Sequence, residues 1–359
     1  MLVNRPLGTG AGIREVARLA GVAPSTVSRV LNARIGGVQM SAATIERIRA
    51  AAAALHYQPN AAARSLRTTQ AQSIGVIAVN LLHPFIAELL RVISAGCRAR
   101  GYHLLLGQAE QSSTEGRLLG DMMSADRVDG LLLLGDVLPE DTRTEDMERL
   151  LQTHSHVVTL GAHPSVAGEL SILVDDEQGL SLALDHLVAL GHRSIGYIGQ
   201  RMGPESWEDQ RRRATYRCFL SAHNLPYAAG ADLVVSNQIE SIREALRSLS
   251  ALPDRPTAVV VGNDLTALLI INAARTMGIR IPDDLSVVGF DDIPFAALCT
   301  PGLTTVRQPI ESMGQLAASA LLDRITDTTP ALPLVGRIPK TLIFPPSLVC
   351  RESVRPQLL

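Results

Sequence analysis

The sequence lacks the features of several large protein classes. No uninterrupted apolar stretch in its 359 residues approaches the roughly 20 that a membrane-spanning helix needs, so we expect no membrane segment. Met1–Gly12 has no apolar run behind its lone Arg5, so no secretory signal is predicted and a cytoplasmic location is expected. With 46% hydrophobic and 19% charged residues, the chain is not disordered and can bury the cores of about two or three domains.

Cysteine is also scarce, and its four copies lie far apart in the chain. They form no CxxC pair and have no histidine cluster beside them. A disulfide scaffold is therefore excluded, and buried free thiols in a reducing compartment explain these residues better than a metal site. The four residues are Cys97, Cys218, Cys299 and Cys350.

The signatures of catalysis are missing as well. The sequence contains no GxSxG, no Walker loop, no HExxH and no Rossmann glycine triplet. Among the scattered histidines, His154 and His156 are predicted to point to opposite sides of a strand as surface residues. The acidic run Asp175–Glu177 suits a divalent cation, but an acidic helix start beside a positive dipole explains it better. We expect no enzymatic activity, no cofactor and no metal ion.

Positive charge is concentrated at the start of the chain. Residues 1–70 carry nine arginines against Glu15 and Glu46, a formal charge of +7, so the other residues carry −9 of the total of −2. A basic head of this kind is expected of a nucleic-acid-binding segment, and a solvated arm is the alternative. The residue pattern within the head decides between them.

Three short helices are predicted in this head. The apolar positions of the first recur at i, i+3, i+4 and i+7, Gly21 suits a turn with positive φ, and Pro24 suits the first turn of the second. Ser41 is the predicted cap of the third. This is the plan of a helix-turn-helix, with any other three-helix bundle as the alternative. The inward residues are predicted to be Ile13, Val16, Ala17, Ala20, Val27, Val30, Leu31, Ile45, Ile48, Ala52 and Leu55.

The second helix presents a surface that suits DNA. Its predicted outer face carries short hydroxyl groups and one guanidinium, with no acid. Such a face can enter a major groove and donate hydrogen bonds to base edges and phosphates. Its residues are Ser25, Thr26, Ser28 and Arg29.

From Ser73 onward, short apolar runs alternate with helices. Strands rich in Val, Ile and Leu that alternate with helices imply parallel sheets covered on both faces. Because one sheet of about ten or more strands is unusual, we expect two doubly wound lobes with a ligand between them, at the carboxyl ends of the strands. The predicted strands are Ile74–Val79, His103–Leu106, Leu131–Leu134, Val157–Leu160, Ile195–Ile198, Ala258–Val261 and Ser286–Phe290, and the predicted helices are Pro84–Arg100, Gly179–Leu190, Ile239–Leu249 and Asp264–Met277.

The head resembles the DNA-binding domain of the lactose-repressor (LacI/GalR) family through Ile13–Asn32 and Tyr57–Leu66. The resemblance implies that the second helix recognises operator DNA. It also implies a hinge helix in the minor groove, in which Leu66 is a wedge that opens a central base step. Two departures are the long stretch Ala33–Met40 and Ala23, which replaces a capping serine. The implied DNA contacts are Ser25, Thr26, Ser28, Arg29, Asn60, Ala63 and Leu66.

The body is similar to the effector-binding core of the same family, which has the fold of periplasmic sugar-binding proteins. The matching segments are Leu190–Tyr197, Gly262–Asp264, Leu285–Asp292 and Pro301–Val306. The effector contacts implied by the resemblance are Phe85, Arg212, Asn263, Asp291 and Gln308. A bidentate guanidinium and an acceptor-only carboxylate together fix sugar hydroxyls or the oxygens of an acid.

Simpler alternatives exist for several of these contacts. Arg212 lies in a run of three arginines and is alternatively a surface residue, and Asp291 alternatively caps a short helix near Pro294. Phe85 is equally suited to the core. Trp207, the only tryptophan, stands just before the arginines, where it suits stacking on a sugar or a buried interface.

One departure from the family concerns the effector itself. Strand Val157–Leu160 runs into Gly161, where several relatives carry an acid or an aromatic residue that reaches the ligand. Glycine supplies neither group, so we expect a larger effector, or an anionic one that depends on Arg212. Sugar, sugar acid, sugar phosphate and purine all remain open.

These observations predict an α/β protein with a helix-turn-helix head, a hinge helix and a two-lobed, periplasmic-binding-protein-like core of two doubly wound parallel sheets. We expect a repressor whose affinity for palindromic operator DNA is switched by a small molecule, acting as a homodimer because a palindrome needs a two-fold partner. The absence of a leucine heptad argues against a tetramerising coiled coil. The rivals are a solute-binding protein without DNA binding and a sugar-processing enzyme.

The predicted boundaries follow from these assignments. We expect an arm at 1–12, the helix-turn-helix domain at 13–58 and the hinge at 59–72. The core at 73–359 divides into an N-subdomain (about 73–172 and 303–326) and a C-subdomain (about 173–300 and 327–352).

Overall fold

The chain forms two compact units, residues 1–71 and residues 72–359. In the described part of the chain, no helix is both long enough and apolar enough to cross a membrane. The computed structural model describes residues 12–31, 40–55, 57, 71–109, 113–124, 127–138, 140–161, 163–200, 207–326 and 341–357.

The first unit contains the three predicted helices: α1 (Ile13–Ala20), α2 (Pro24–Leu31) and α3 (Ala42–Ala54). Each helix contributes a side chain with no exposed surface, namely Val16, Val27 and Ile48, so all three share one small core. Gly21 adopts the left-handed conformation expected of the turn, with φ of +64°. The Ser41 hydroxyl accepts a hydrogen bond from the Thr44 backbone N–H at 3.3 Å, which confirms the predicted cap.

The second unit contains two sheets. The first is formed by β1 (Ser73–Ala78), β2 (His103–Gln108), β3 (Gly130–Leu134), β4 (Val157–Leu160), β5 (Leu170–Val174) and β11 (Thr341–Phe344). The strand order is β11-β5-β4-β3-β1-β2, and all neighbours run parallel. Its helices are α4 (Pro84–Ala99), α5 (Ser113–Met122), α6 (Arg143–Thr153) and α11 (Ile310–Thr326). Helices α4 and α11 cover one face, and α5 and α6 cover the other.

The second sheet is formed by β6 (Ile195–Gln200), β7 (Asp232–Val235), β8 (Ala258–Val261), β9 (Ser286–Asp291), β10 (Thr304–Arg307) and β12 (Ser347–Val349). The strand order is β12-β10-β9-β8-β6-β7, and only the β10–β12 pair is antiparallel. Its helices are α7 (Asp176–Ala189), α8 (Trp207–Ala222), α9 (Ile239–Ser250) and α10 (Asp264–Thr276). Helices α7 and α8 pack on one face, and α9 and α10 on the other. The predicted pair of doubly wound lobes is confirmed.

The described chain passes between these two lobes three times. It leaves the first lobe at Asp175, between β5 and α7, and returns at Gln308–Pro309, between β10 and α11. It crosses again at Pro345–Pro346, between β11 and β12. Three short connections therefore join two separately packed bodies, which is the construction of a hinge.

Two late strands lie in the opposite lobes from those expected. We expected residues 303–326 in the first lobe and 327–352 in the second. Instead, β10 pairs with β9, with Thr304 opposite Val288, and β11 pairs with β5, with Thr341 opposite Ser171. A short apolar strand shows the same pattern in either sheet, so its sequence does not identify its neighbour.

Two predictions about surface exposure were wrong. His154 is 2% exposed, and its Nε2 atom hydrogen-bonds the Gly120 carbonyl oxygen at 3.1 Å. A satisfied imidazole therefore packs inside, where we expected a surface residue. All four cysteines are free, but only Cys97 is buried, whereas Cys218 and Cys350 are exposed.

Candidate functional site

A cavity of about 440 Å³ lies between the two lobes. Six strands point their carboxyl ends at it, where a parallel sheet places ligand-binding residues. The volume is in the range of small-molecule pockets. The residues that end or follow these strands and line the cavity are Asn80 after β1, Asp136 after β3, Gly161 after β4, Gln200 in β6, Asn263 after β8 and Asp291 in β9.

Arg212 of α8 lies in the lining of this cavity and is 7% exposed, so it is not a surface arginine. Its Nε and Nη2 atoms each lie 2.8 Å from Asp176 Oδ1, and Nη1 donates to the Gly262 carbonyl oxygen at 2.6 Å. The guanidinium carbon lies 3.6 Å from the centroid of the Phe290 ring. Burial opposes the positive charge, but Asp176 and then Asp291 raise the pKa of Arg212, so it stays protonated.

Asp291 and Gln308 form a buried pair beside it. The Gln308 Nε2 atom donates to Asp291 Oδ1 at 2.7 Å, and both residues are less than 7% exposed. Asp291 has φ of +123°, a region that side-chain-bearing residues rarely occupy. It does not cap the helix at Pro294–Ala297, whose N-cap is Ile293. Burial raises the pKa of Asp291 to about 7, against the lowering effects of Arg212 and Gln308.

Asn263 holds one end of the cavity in place through both atoms of its amide. Its Oδ1 atom accepts from the Thr266 backbone N–H at 2.9 Å and so caps α10. Its Nδ2 atom donates to Gln200 Oε1, which joins the ends of β8 and β6. The residue therefore has a structural role beside any contact with ligand.

The two aromatic candidates also face the cavity. Phe85 is half-buried and packs against the cores of both lobes. Trp207 opens α8, and its backbone N–H donates to Asp136 Oδ2 at 2.9 Å. Its ring lies 4.7 Å from the His163 ring centroid and 4.5 Å from the Arg211 guanidinium carbon. Both residues thus combine packing with a position at the cavity.

The structure also shows a group of charged residues in the cavity lining, around Asp136, that the sequence analysis did not predict. Asp136 Oδ1 lies 3.2 Å from His163 Nε2 and 3.5 Å from the Arg143 guanidinium. Burial acts to raise the pKa of Asp136, but the hydrogen bonds from His163 and the Trp207 backbone outweigh it and lower the pKa. Burial, and then Asp136, raise the pKa of Glu208 well above its usual range. Asp136 lies two residues after the end of β3, a position from which the sequence could have predicted it, whereas Arg143 and Glu208 lie in helices with no distinguishing pattern.

The other candidate surface is the outer face of α2. Ser25 and Arg29 are exposed there, and Thr26 and Ser28 are half-buried. The described part of this helix contains no acid, so the face keeps the chemistry expected for contact with DNA. The remaining predicted contacts lie outside the described residues: Asn60, Ala63 and Leu66.

The buried ion pair generates a first prediction. Asp176→Ala should lower the free energy of unfolding by about 3–5 kcal/mol, because it leaves the Arg212 charge buried and unmatched. Glu177→Ala is the matched control. Its carboxylate, on the same first turn of α7, pairs with Arg211 while 67% exposed, and its loss should cost at most about 1 kcal/mol. Equal losses in urea denaturation would contradict the importance of the buried pair.

A second prediction concerns pH. A carboxyl whose pKa is raised on folding stabilises the folded state at low pH, and this stabilisation is lost as the pH rises through the folded value. Wild type should therefore lose stability relative to Asp291→Asn between pH 4 and about 7, by up to about 1.4 kcal/mol per pH unit. Arg212, Asp176 and Asp264, the charged neighbours of Asp291, are present in both wild type and Asp291→Asn, so the comparison isolates the titration of Asp291. Parallel pH profiles in urea denaturation would show that Asp291 ionises as freely as an exposed acid.

Comparison with known proteins identifies the family. Residues 12–60 match the model of the bacterial regulatory proteins, lacI family, and residues 184–354 match that of a periplasmic binding protein-like domain. The chain is 35% identical over 327 residues to the HTH-type transcriptional repressor PurR of Pectobacterium atrosepticum, covering 88% of this chain and 91% of PurR. It is 34% identical over 322 residues to the ribose operon repressor of Escherichia coli, covering 89% and 94%.

A solved structure shows the same relationship. The Lac repressor dimer bound to operator and the anti-inducer ONPF superposes with a TM-score of 0.77 at 27% identity, covering 97% of this chain and all of that one. The relatives are transcriptional repressors rather than enzymes. This chain therefore belongs to the LacI family of bacterial transcriptional regulators.

Proposed function

We propose that this protein is a homodimeric repressor that binds palindromic operator DNA through α2 and is switched by a small molecule bound in the cavity. Its place of action is the cytoplasm, where its DNA target lies. One observation carries the proposal: a small-molecule-sized cavity lies at the carboxyl ends of six strands, in a chain whose first unit is a LacI-family head. The cavity provides a binding site for the ligand, and the head provides the DNA-binding activity that the ligand regulates.

The residues around the cavity suit a polyhydroxylated ligand. Asn80, Gln200 and Gln308 offer amide groups, Asp291 offers carboxyl oxygens, and Phe85 offers an apolar face. Amides and carboxyls recognise hydroxyl groups, while an aromatic ring packs on the apolar face of a sugar. The relative named ribose operon repressor supports the same class of ligand. We therefore place the effector among sugars and related metabolites.

An exposed apolar surface on the first lobe supports the homodimer. Leu105 and Leu106 lie on β2, an edge strand, and are 43% and 48% exposed. Leu118 and Met122 of α5 are 53% and 61% exposed. Exposed apolar residues on and near an open sheet edge favour cover by a second chain. The Lac repressor structure is a dimer on its operator, which supports a two-fold arrangement.

The three crossings between lobes provide the route for the switch. A ligand that contacts both lobes favours one angle between them, because only one angle closes the cavity around it. In a dimer held through the first lobes, that change alters the spacing of the two heads and so the affinity for a palindrome. The hinge roles proposed for Asn60, Ala63 and Leu66 belong to this step.

The proposal is tested by selecting binding sites from a random DNA library with the purified full chain. We expect a palindrome to be enriched. Arg29→Ala should weaken its binding by about fivefold to 150-fold, the effect of losing one base contact. Arg98→Ala removes one exposed arginine from α4 in the second unit and serves as the charge-matched control. Binding should also weaken steeply as salt rises.

Two outcomes would contradict the proposal. Enrichment of no sequence by a protein that still binds small molecules would point to the solute-binding alternative. Equal losses from Arg29→Ala and Arg98→Ala would remove α2 as the surface that recognises DNA.

A further inference from the structure

The lining of the cavity carries more acid than base. It contains two guanidinium groups, those of Arg143 and Arg212, and burial and then Arg212 lower the pKa of the lining residue His83 to about 4. The lining holds six carboxyl groups against these two guanidinium groups, of which Asp209 is paired with Arg213 at 3.7 Å and Asp291 accepts a hydrogen bond from Gln308. A cleft lined by one sign of charge concentrates ligands of the opposite sign. The six acids are Asp136, Glu140, Asp141, Glu208, Asp209 and Asp291.

Both arginines of the lining already face carboxylates. Arg212 lies against Asp176 at 2.8 Å, within a fully formed set of contacts. Arg143 faces Asp136 at 3.5 Å, and the other charged groups that act on it, Glu140, Glu208 and Glu169, are all acids. A phosphate or carboxylate placed beside either arginine would therefore also meet several carboxylates. This argues against the anionic effector that the sequence left open.

Glu208 is the acid of the cavity for which the described residues provide no side-chain partner. In the described part of the chain, no side chain hydrogen-bonds or ion-pairs with it, although it lines the cavity and is largely buried. Its position also fits the missing side chain at Gly161. A Cβ atom built there would lie 3.8 Å from Glu208 Oε1, so this carboxyl occupies the region that a side chain of that strand end would reach.

We propose that the effector carries a basic nitrogen, as an amino sugar does, and that Glu208 binds this nitrogen with Asp136 beside it. This inference rests on the proposed function, because it assumes that the cavity holds the effector. A ligand ammonium group supplies the positive charge that Glu208 lacks, and a buried carboxylate is stable when it is paired and hydrogen-bonded. Phosphorylated and carboxylated sugars fit this site less well, because their anionic group would also lie against these carboxyl groups.

Trp207 makes the charge of the cavity measurable without a known ligand. It is the only tryptophan of the chain and lies in the lining, so its fluorescence, excited where tyrosine does not absorb, reports on this site alone. The nearby Arg211 is already paired with Glu177 at 3.1 Å. Caesium and iodide quench tryptophan as a cation and an anion. A potential of about one kT changes their local concentrations about threefold in opposite directions.

We expect caesium to quench Trp207 at least about three times as strongly as iodide, at matched ionic strength and relative to a free tryptophan derivative. Because the pKa of Glu208 is raised, increasing the pH should ionise it and increase this ratio, and Glu208→Gln should abolish that increase. Glu240→Gln, which removes an exposed acid on α9 outside the cavity, should leave it unchanged. Equal quenching by the two ions, or stronger quenching by iodide, overturns the proposal, as does a ratio that both variants change equally.

A ligand titration tests the chemical class directly. D-glucosamine, D-glucose, D-glucuronate and D-glucose 6-phosphate are compared by thermal shift on the full chain. We expect the amino sugar to stabilise the protein most and Glu208→Gln to weaken that binding at least about tenfold, the loss of a charge-assisted contact. Preferential stabilisation by the acid or the phosphate overturns the proposal. If that anion also changes operator affinity, the proposed function stands and only the ligand class is wrong.

Discussion

The candidate site depends on one buried ion pair, that of Arg212 with Asp176. Removing a guanidinium from water is costly, and the cost is met only when charge and hydrogen-bond partners surround it. Here the partners come from different elements: Asp176 from the start of α7, the Gly262 carbonyl from the end of β8 and the Phe290 ring from β9. The pair therefore connects the elements that form one wall of the cavity. Asp291 and Glu208 also interact electrostatically with Arg212 and raise its pKa.

The packing behind the pair explains why small residues stand nearby. A Cβ atom at Gly179 would lie 2.9 Å from the Phe290 ring, which itself lies under Arg212. A Cβ atom at Gly199 would lie 2.5 Å from Asp209 Oδ2. A glycine inside helix α7 is unfavourable by about 1 kcal/mol relative to alanine, so its presence is explained by this close approach. Helix propensity is therefore lower at Gly179, where the Phe290 ring approaches the backbone of α7 closely.

Much of the fold was readable from the sequence, and the failures have definite causes. The helices of the head followed from apolar spacing with Gly21 and Ser41 as boundaries, and most strands followed from apolar runs. Helix α8 was missed because it buries Asp209 and Arg212, so it has no clean amphipathic face. The lobes of β10 and β11 were exchanged because strand pairing depends on the path of the chain. Sequence placed Arg212 and Asp291 at a site only through family resemblance, and Glu208 carried no signal, since its importance comes from what surrounds it.

The central claim is that ligand binding in the cavity and operator binding by the head are coupled through one conformational equilibrium. Such coupling is reciprocal: a ligand that changes operator affinity by some factor must have its own affinity changed by the same factor. The direct measurement is operator affinity with and without the strongest cavity ligand, together with affinity for that ligand with and without operator, followed through Trp207. The account predicts two equal ratios, each at least about fivefold. A ligand that binds in the cavity while both ratios stay at one would contradict it.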